Sequence, residues 1–181
     1  MQPAQAGLPD FPACAGRALP EFGAGGATLR RASADDLPFL RELYAHARAA
    51  ELAQVCWPPG VCEQFLDSQF ALQHRHYVQH YSDADFLLVE RHGKCVGRLY
   101  VSPAPPDHLI VDITLLEQAR GHGLGSALIT GVQRCAQAQG CGVVLHVDVR
   151  NAGAQRLYQR LGFVPLSVDG AYWTMRWSPL S

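Results

Sequence analysis

The sequence predicts an α/β fold, with a mixed central sheet of about seven strands flanked by about four helices. Three observations carry this. Runs of β-formers alternate with stretches of helical periodicity over most of the chain. A glycine-rich segment joins one such strand to one such helix. The last two strands lie close together around Asp169-Gly170, as in a hairpin.

Residues 27–31 read as a short first strand. Ser33 followed three residues later by Asp36 resembles a capping box and starts a helix whose apolar stripe is Leu37, Leu40, Tyr44 and Ala47. Trp57-Pro58-Pro59-Gly60 interrupts the chain. A second helix then carries Cys62, Phe65, Leu66 and Phe70 at helical spacing and runs towards Tyr81. The runs 86–89 and 95–101, joined through Arg91-His92-Gly93-Lys94, read as a hairpin. Residues 109–115 form a long strand, 123–138 a helix, 143–149 a further strand and 151–161 a further helix. Strands at 163–168 and 172–177 close the chain, giving the order β-α-α-β-β-β-α-β-α-β-β.

A length of 181 residues suits one domain with a terminal extension. Since 48% of the residues are apolar and only 17% charged, a substantial core can be buried. The domain is expected over 27–181. Residues 1–26, rich in Ala, Gly and Pro, are expected to form a flexible extension, because they bury too little to offset their ordering entropy. The alternative is an arm that docks on the domain or on a partner subunit through Leu8, Phe11, Leu19 and Phe22. A net charge of −1 gives no general attraction to nucleic acid or to an anionic membrane, so neither is an expected partner. No apolar run is long enough to span a bilayer and no secretory signal is recognisable. The six cysteines form no C-x-x-C pair, which suggests buried, reduced thiols and a soluble cytoplasmic protein.

Arg120-Gly121-His122-Gly123-Leu124-Gly125-Ser126 lies between a strand and a helix. Glycines let the backbone approach an anion, and the helix N-terminus turns amides and a favourable dipole towards it, which suits a pyrophosphate. Alone, the segment is also compatible with a plain tight turn. A Rossmann-type site would place its glycines directly after the strand, whereas residues 116–120 intervene; Asp148 does stand near that site's acidic position. No Gly-Lys-Ser/Thr follows, which excludes a P-loop.

A second motif discriminates: Asn151-Ala152-Gly153-Ala154-Gln155-Arg156-Leu157-Tyr158-Gln159-Arg160-Leu161-Gly162-Phe163. Ala154, Leu157, Tyr158 and Leu161 share one helix face, and Gly162 ends the helix. With Arg120-x-x-Gly123-x-Gly125, this resembles the GNAT superfamily of N-acetyltransferases, whose signature pairs Gln/Arg-x-x-Gly-x-Gly/Ala with Asn-x-x-Ala-x-x-x-Tyr-x-x-x-Gly-Phe. The resemblance implies the GNAT fold and an acetyl-CoA-dependent transfer of an acetyl group to an amine-bearing acceptor, small molecule or protein. It implies that 120–126 binds the coenzyme pyrophosphate, with Arg120, Gly121, His122, Gly123, Leu124, Gly125 and Ser126 as cofactor-binding residues. It further implies that the backbone of Ile113 and Leu115 pairs with the pantetheine arm, admitted by a splay between that strand and 143–149. Asn151 matches the residue that bonds the pantetheine, Ala154 stands in the same motif, and Tyr158 matches the usual general acid. Glu117 departs from the common pattern, which has Pro there; only local turn geometry is affected.

The chemistry is consistent with these positions. Amides near Leu115 and Leu116 suit an oxyanion. A Tyr hydroxyl stays protonated at neutral pH and can protonate a leaving thiolate, although Tyr158 could equally be an aromatic packed on the sheet. For the base there are two candidates. Alternation along the strand puts Val143, Leu145 and Val147 on one face and Val144, His146 and Asp148 on the other, and an imidazole suits deprotonation of an amine. The rival is Asp112, an acid within an otherwise apolar strand. Each has a bland alternative, a satisfied histidine and a structural carboxylate.

His74, His76 and His80 read as a solvated helix face rather than a zinc site, since no Glu or Cys stands at motif distance, and no metal is expected. Trp57 and Glu51 fall where the resemblance places the acceptor-binding lip, but Trp57 could equally plug the core edge. The competing function is an acyl-CoA-binding sensor or interaction module without turnover; a Rossmann-type oxidoreductase or methyltransferase is a distant third. The acceptor and the oligomeric state stay open, a homodimer included.

Overall fold

The computed structural model describes residues 7–13, 19 and 26–179. Its elements follow the expected order: β1 (Ala27–Arg31), α1 (Leu37–Leu52), α2 (Val61–His80), β2 (Asp85–Arg91), β3 (Lys94–Ser102), β4 (Asp107–Leu115), α3 (Leu124–Ala138), β5 (Gly142–Asp148), α4 (Ala152–Arg160), β6 (Val164–Asp169) and β7 (Tyr172–Trp177). Short 3-10 turns at Ala34–Asp36 and Glu117–Ala119 introduce α1 and follow β4. At the first, the Asp36 carboxylate accepts from the Ser33 amide at 2.8 Å and from its hydroxyl at 3.1 Å, so the capping residues act one turn earlier than a plain helix start.

The seven strands form one sheet in the order β1-β2-β3-β4-β5-β7-β6. Every neighbouring pair is antiparallel except β4 and β5. That one parallel pair determines the site. It runs only from Asp107 opposite Gly142 to Ile110 opposite Leu145, and beyond it the strands part. The cause lies on the other side of β4. Between Tyr100 opposite Asp112 and Val101 opposite Ile110, β4 carries one extra residue, Val111. Such a bulge bends and twists its strand, and here it sits one residue past the last β4–β5 pair. It also shifts the alternation: Ile110, Ile113 and Leu115 all face the α3–α4 core, and Asp112 is turned to the opposite side with Tyr100.

Two apolar layers sandwich the sheet. On one side Leu128, Ile129, Val132 and Ala136 of α3 and Tyr158 of α4 pack on Leu99, Val143, Leu145, Val147 and Met175. On the other, Leu37, Leu40 and Tyr44 of α1 and Phe70 of α2 pack on Phe86, Leu88 and Tyr100. Burying each Leu, Ile, Val, Phe or Met among these contributes about 1.5–3 kcal/mol.

Leu8 and Phe11 join the α1–α2 layer and Leu19 the α3–α4 layer. Phe11 meets the His74 ring edge-on at 5.0 Å, and the Pro9 carbonyl lies 2.8 Å from His74 Nε2. Within 1–26, these residues therefore contact the domain; Phe22 and most of that segment lie outside the described residues. At the far edge, all six residues of β6 are exposed, with a register shift between Pro165 and Ser167. The expectation of buried thiols holds for Cys141 and fails for Cys56, which is exposed; Cys62, Cys95 and Cys135 are half-buried, and Cys14 lies outside the described residues. No helix among the described residues is long and apolar enough to cross a membrane.

Candidate active site

Two cavities meet where β4 and β5 diverge. The larger, about 750 Å³, is lined by residues of β4, the glycine-rich loop, α3 and α4. Ten of the expected coenzyme residues line it: Ile113, Leu115, Arg120, Gly121, Gly123, Gly125, Ser126, Asn151, Ala154 and Tyr158. His122 and Leu124 do not. Leu124 is drawn into the core below the loop, and His122 stands exposed on the surface.

The loop has the backbone that its glycines predict. Gly121 and Gly123 adopt φ of 80° and 75°, and a Cβ on either would meet open space. Gly123 is the residue that caps α3, so the first amides of that helix open on the cavity. Gly125 is different: a Cβ there would make ordinary 3.8 Å contacts with Leu115 and Leu157, so the position has room for a methyl group. A pyrophosphate fits this lining, with open space over the glycines and a helix N-terminus beneath. The Arg120 side chain turns back, its Nε donating to the Leu115 carbonyl at 2.9 Å, and so fastens the loop to the end of β4.

Amides along β4 divide between its two sides. The Leu116 amide donates to the Val96 carbonyl at 2.9 Å and is therefore not free for an oxyanion, contrary to expectation. Neighbouring amides of a strand point opposite ways, so that of Leu115 is turned towards the fork. Asn151 caps α4, its Oδ1 accepting from the Ala154 amide at 3.0 Å, and its side-chain NH2 has no protein partner among the described residues.

The smaller cavity, about 550 Å³, contains both candidate bases, Asp112 from β4 and His146 from β5. His146 is exposed, and its Nδ1 lies 3.1 Å from the hydroxyl of Thr174, its register partner on β7. Asp112 is held firmly: its Oδ2 accepts from Arg98 at 2.7 Å and from the Tyr77 hydroxyl at 2.9 Å, and its Oδ1 from Thr114 at 2.7 Å. Arg98 is 3% exposed, is bonded also to Gln73 at 2.8 Å, and lies against the rings of Tyr77 and Tyr100. Asp148 is engaged by Arg150, which draws its carboxyl down to about 2.

Ile113, Asn151 and Tyr158 line both cavities. Tyr158 is 8% exposed, and its hydroxyl has no hydrogen-bond partner among the described residues. Burial, and then the negative charge of Asp112, push its pKa up to about 12.

No local signal pointed to Tyr77, which lines the cavity from α2, or to Thr174, Tyr172 and Asp169 from the closing hairpin. The hairpin register would have pointed to Thr174, since His146 faces it directly. Trp57 and Glu51 line neither cavity. Trp57 donates to the Leu52 carbonyl at 3.0 Å and packs on Phe65, closing the end of α1, while Glu51 pairs with Arg48. Of the three histidines expected on a solvated face of α2, His76 and His80 stack at 4.2 Å on the surface, whereas His74 is buried beneath the N-terminal segment.

A glycine loop at a helix start thus stands beside a parted parallel strand pair and a buried tyrosine. Residues 46–163 match the acetyltransferase (GNAT) family, and the chain belongs to it. The chain is 33% identical over 113 residues to N-alpha-acetyltransferase MAK3 of Arabidopsis thaliana, a match covering 58% of each protein. It is 32% identical over 115 residues to mycothiol acetyltransferase of Streptomyces coelicolor, covering 62% of this chain and 37% of that protein. The matches thus span less than two thirds of these relatives' own lengths. The fold is similar to the PaiA N-acetyltransferase of Thermoplasma acidophilum in complex with coenzyme A, with a TM-score of 0.67 at 16% identity over 84% of this chain and 99% of that one. Ard1 of Thermoplasma volcanium gives 0.58 at 21% identity, over 87% and 100%.

Proposed function

We propose that the chain transfers the acetyl group of acetyl-CoA directly to a primary amine, with Tyr158 as general acid and His146 as general base. The observation that carries this reading is the position of Tyr158 on the wall common to both cavities, its hydroxyl unengaged. In the reaction the ammonium of the acceptor loses a proton to His146, directly or through water. The amine nitrogen bonds to the thioester carbonyl carbon, and the oxyanion that develops is met by the Leu115 amide. The C–S bond then breaks, and Tyr158 gives its proton to the departing thiolate. A phenol displaced to about 12 remains protonated throughout the working range of pH, as an acid in this role requires. Asp112 is less suited to be the base, because a proton there would leave the buried Arg98 guanidinium without its counter-charge.

Coenzyme-thiol release tests the reading. The full chain with acetyl-CoA is offered a panel of primary amines: a polyamine, an amino sugar, an amino acid and a peptide with a free N-terminus. One amine or more should be acetylated, and Tyr158→Phe should slow turnover by ~10²–10⁴-fold while coenzyme affinity stays within a few-fold. Full activity in that variant would remove the proposed acid. Coenzyme binding without thiol release for any amine would favour a sensor.

A further inference from the structure

A buried polar cluster lies beneath the smaller cavity. It joins three parts of the chain: Gln73 and Tyr77 from α2, Arg98 from β3, and Asp112 with Thr114 from β4. A carboxylate offers about four acceptor sites. Arg98 and Tyr77 occupy two on Oδ2 and Thr114 occupies one on Oδ1. One site on Oδ1 is left, on a residue that lines the cavity. Asp112 lies two residues past the last β4–β5 pair and His146 one residue past it, so they flank the opening of the fork from opposite strands.

We propose that Asp112 is the anchor for the acceptor's ammonium group, and that Tyr77 is a positioning residue that holds Asp112 in place for it. The proposal rests on the acetyl-transfer reading and divides the labour within it: Asp112 binds the charged amine and His146 takes its proton. An anchor needs a permanent negative charge in a fixed orientation. Arg98 supplies the counter-charge that makes a buried carboxylate tolerable, and it does so from outside the cavity, which it does not line. Tyr77 fixes the orientation. Its ring packs edge-on against Tyr100 at 5.8 Å and its hydroxyl is spent on Asp112. Burial, and then the Asp112 charge, hold that phenol well above its ordinary range, so it stays a donor. The bulge at Val111 completes the arrangement by turning Asp112 away from the α3–α4 core. The acceptor class that follows is a primary amine that arrives protonated.

The test uses the full chain, acetyl-CoA and two small probe nucleophiles at mildly alkaline pH. Methylamine is then still charged, whereas hydroxylamine is neutral. The quantity read is the ratio of kcat/KM for methylamine to that for hydroxylamine. Asp112→Asn should lower this ratio by about tenfold or more, the loss expected for a hydrogen bond to a charged group. Tyr77→Phe should lower it in the same direction by a smaller factor, and adding it to Asp112→Asn should lower it no further, because Tyr77 acts through the carboxylate. A merely structural role would slow both nucleophiles alike and leave the ratio within about twofold of wild type, which overturns the proposal. Should Asp112→Asn fail to fold, Tyr77→Phe keeps the ion pair and decides by itself. Turnover of panel amines without turnover of methylamine also counts against it, since charge recognition would then lie away from the reacting carbon. A wild type that releases thiol with no nucleophile overturns the acetyl-transfer reading and this proposal with it.

Discussion

At the scale of single residues, the site separates groups that are committed from groups that are free. Asp112 has three protein donors, and Asp148 is engaged by Arg150. The Tyr158 hydroxyl has no partner among the described residues, and His146 is held through Nδ1 alone. The proposed proton transfers use the second pair. His146→Gln keeps a side chain that can hydrogen-bond to Thr174, so fold and coenzyme affinity should persist while kcat/KM falls by ~10²-fold or more; an unchanged kcat/KM moves the role to Asp112 or to solvent. Tyr158 adds no falling limb below about 12, because it must be protonated to act and remains so up to that value.

At the scale of elements, β4 and α2 carry most of what is specific to this site. The motifs in 120–126 and 151–163 were legible because loop glycines and a helix cap are local signals. The Val111 bulge was not legible: one residue too many on a strand is defined only against its partner, so plain alternation gave no reason to separate Asp112 from Ile110. Helix α2 was found by its spacing, but not its bond to β4, for Tyr77 and Asp112 are 35 residues apart in the chain. One turn back on the same helix, His74 receives the N-terminal segment through Pro9 and Phe11. Burial holds its imidazole below the ordinary value; the bond to Pro9 opposes this, and the charges of Arg98 and Arg75 reinforce it. The unfolded chain therefore binds the proton more readily. Its stability contribution is complete above about 6.5 and is lost as pH falls below that towards the folded value. The melting temperature should drop across that window. His74→Gln, whose amide can still donate to the Pro9 carbonyl, should flatten the drop; a slope identical to wild type would assign the acid sensitivity to other groups.

Across the whole molecule, fold class, element order and the glycine-rich turn before α3 could be read from the sequence because periodicity and turn chemistry specify them locally. The smaller cavity could not, since it is assembled from α2, β4, β5 and the closing hairpin, which meet only after folding. Coenzyme binding should stabilise the entire chain by linkage, so acetyl-CoA should raise the melting temperature. Gly123→Val should abolish that shift, because a branched residue is strained at φ 75° and would crowd the phosphate approach; a retained shift would place the pyrophosphate elsewhere. The free margin at β6 has a further consequence, for behaviour in concentrated solution. Val164, Leu166 and Val168 are each more than half exposed along a strand with no neighbour on its outer side among the described residues. Such a margin is a template on which another chain can add itself. Two features oppose that addition: Pro165 brings no amide to a newcomer, and the irregularity beside it breaks the straight run of partners. Replacing Pro165 with Thr should therefore leave the isolated molecule folded and yet promote concentration-dependent self-association, measurable as a rising weight-average mass in sedimentation. A mass that stays constant with concentration would show that the apolar side chains, left exposed, are kept apart by something other than the proline.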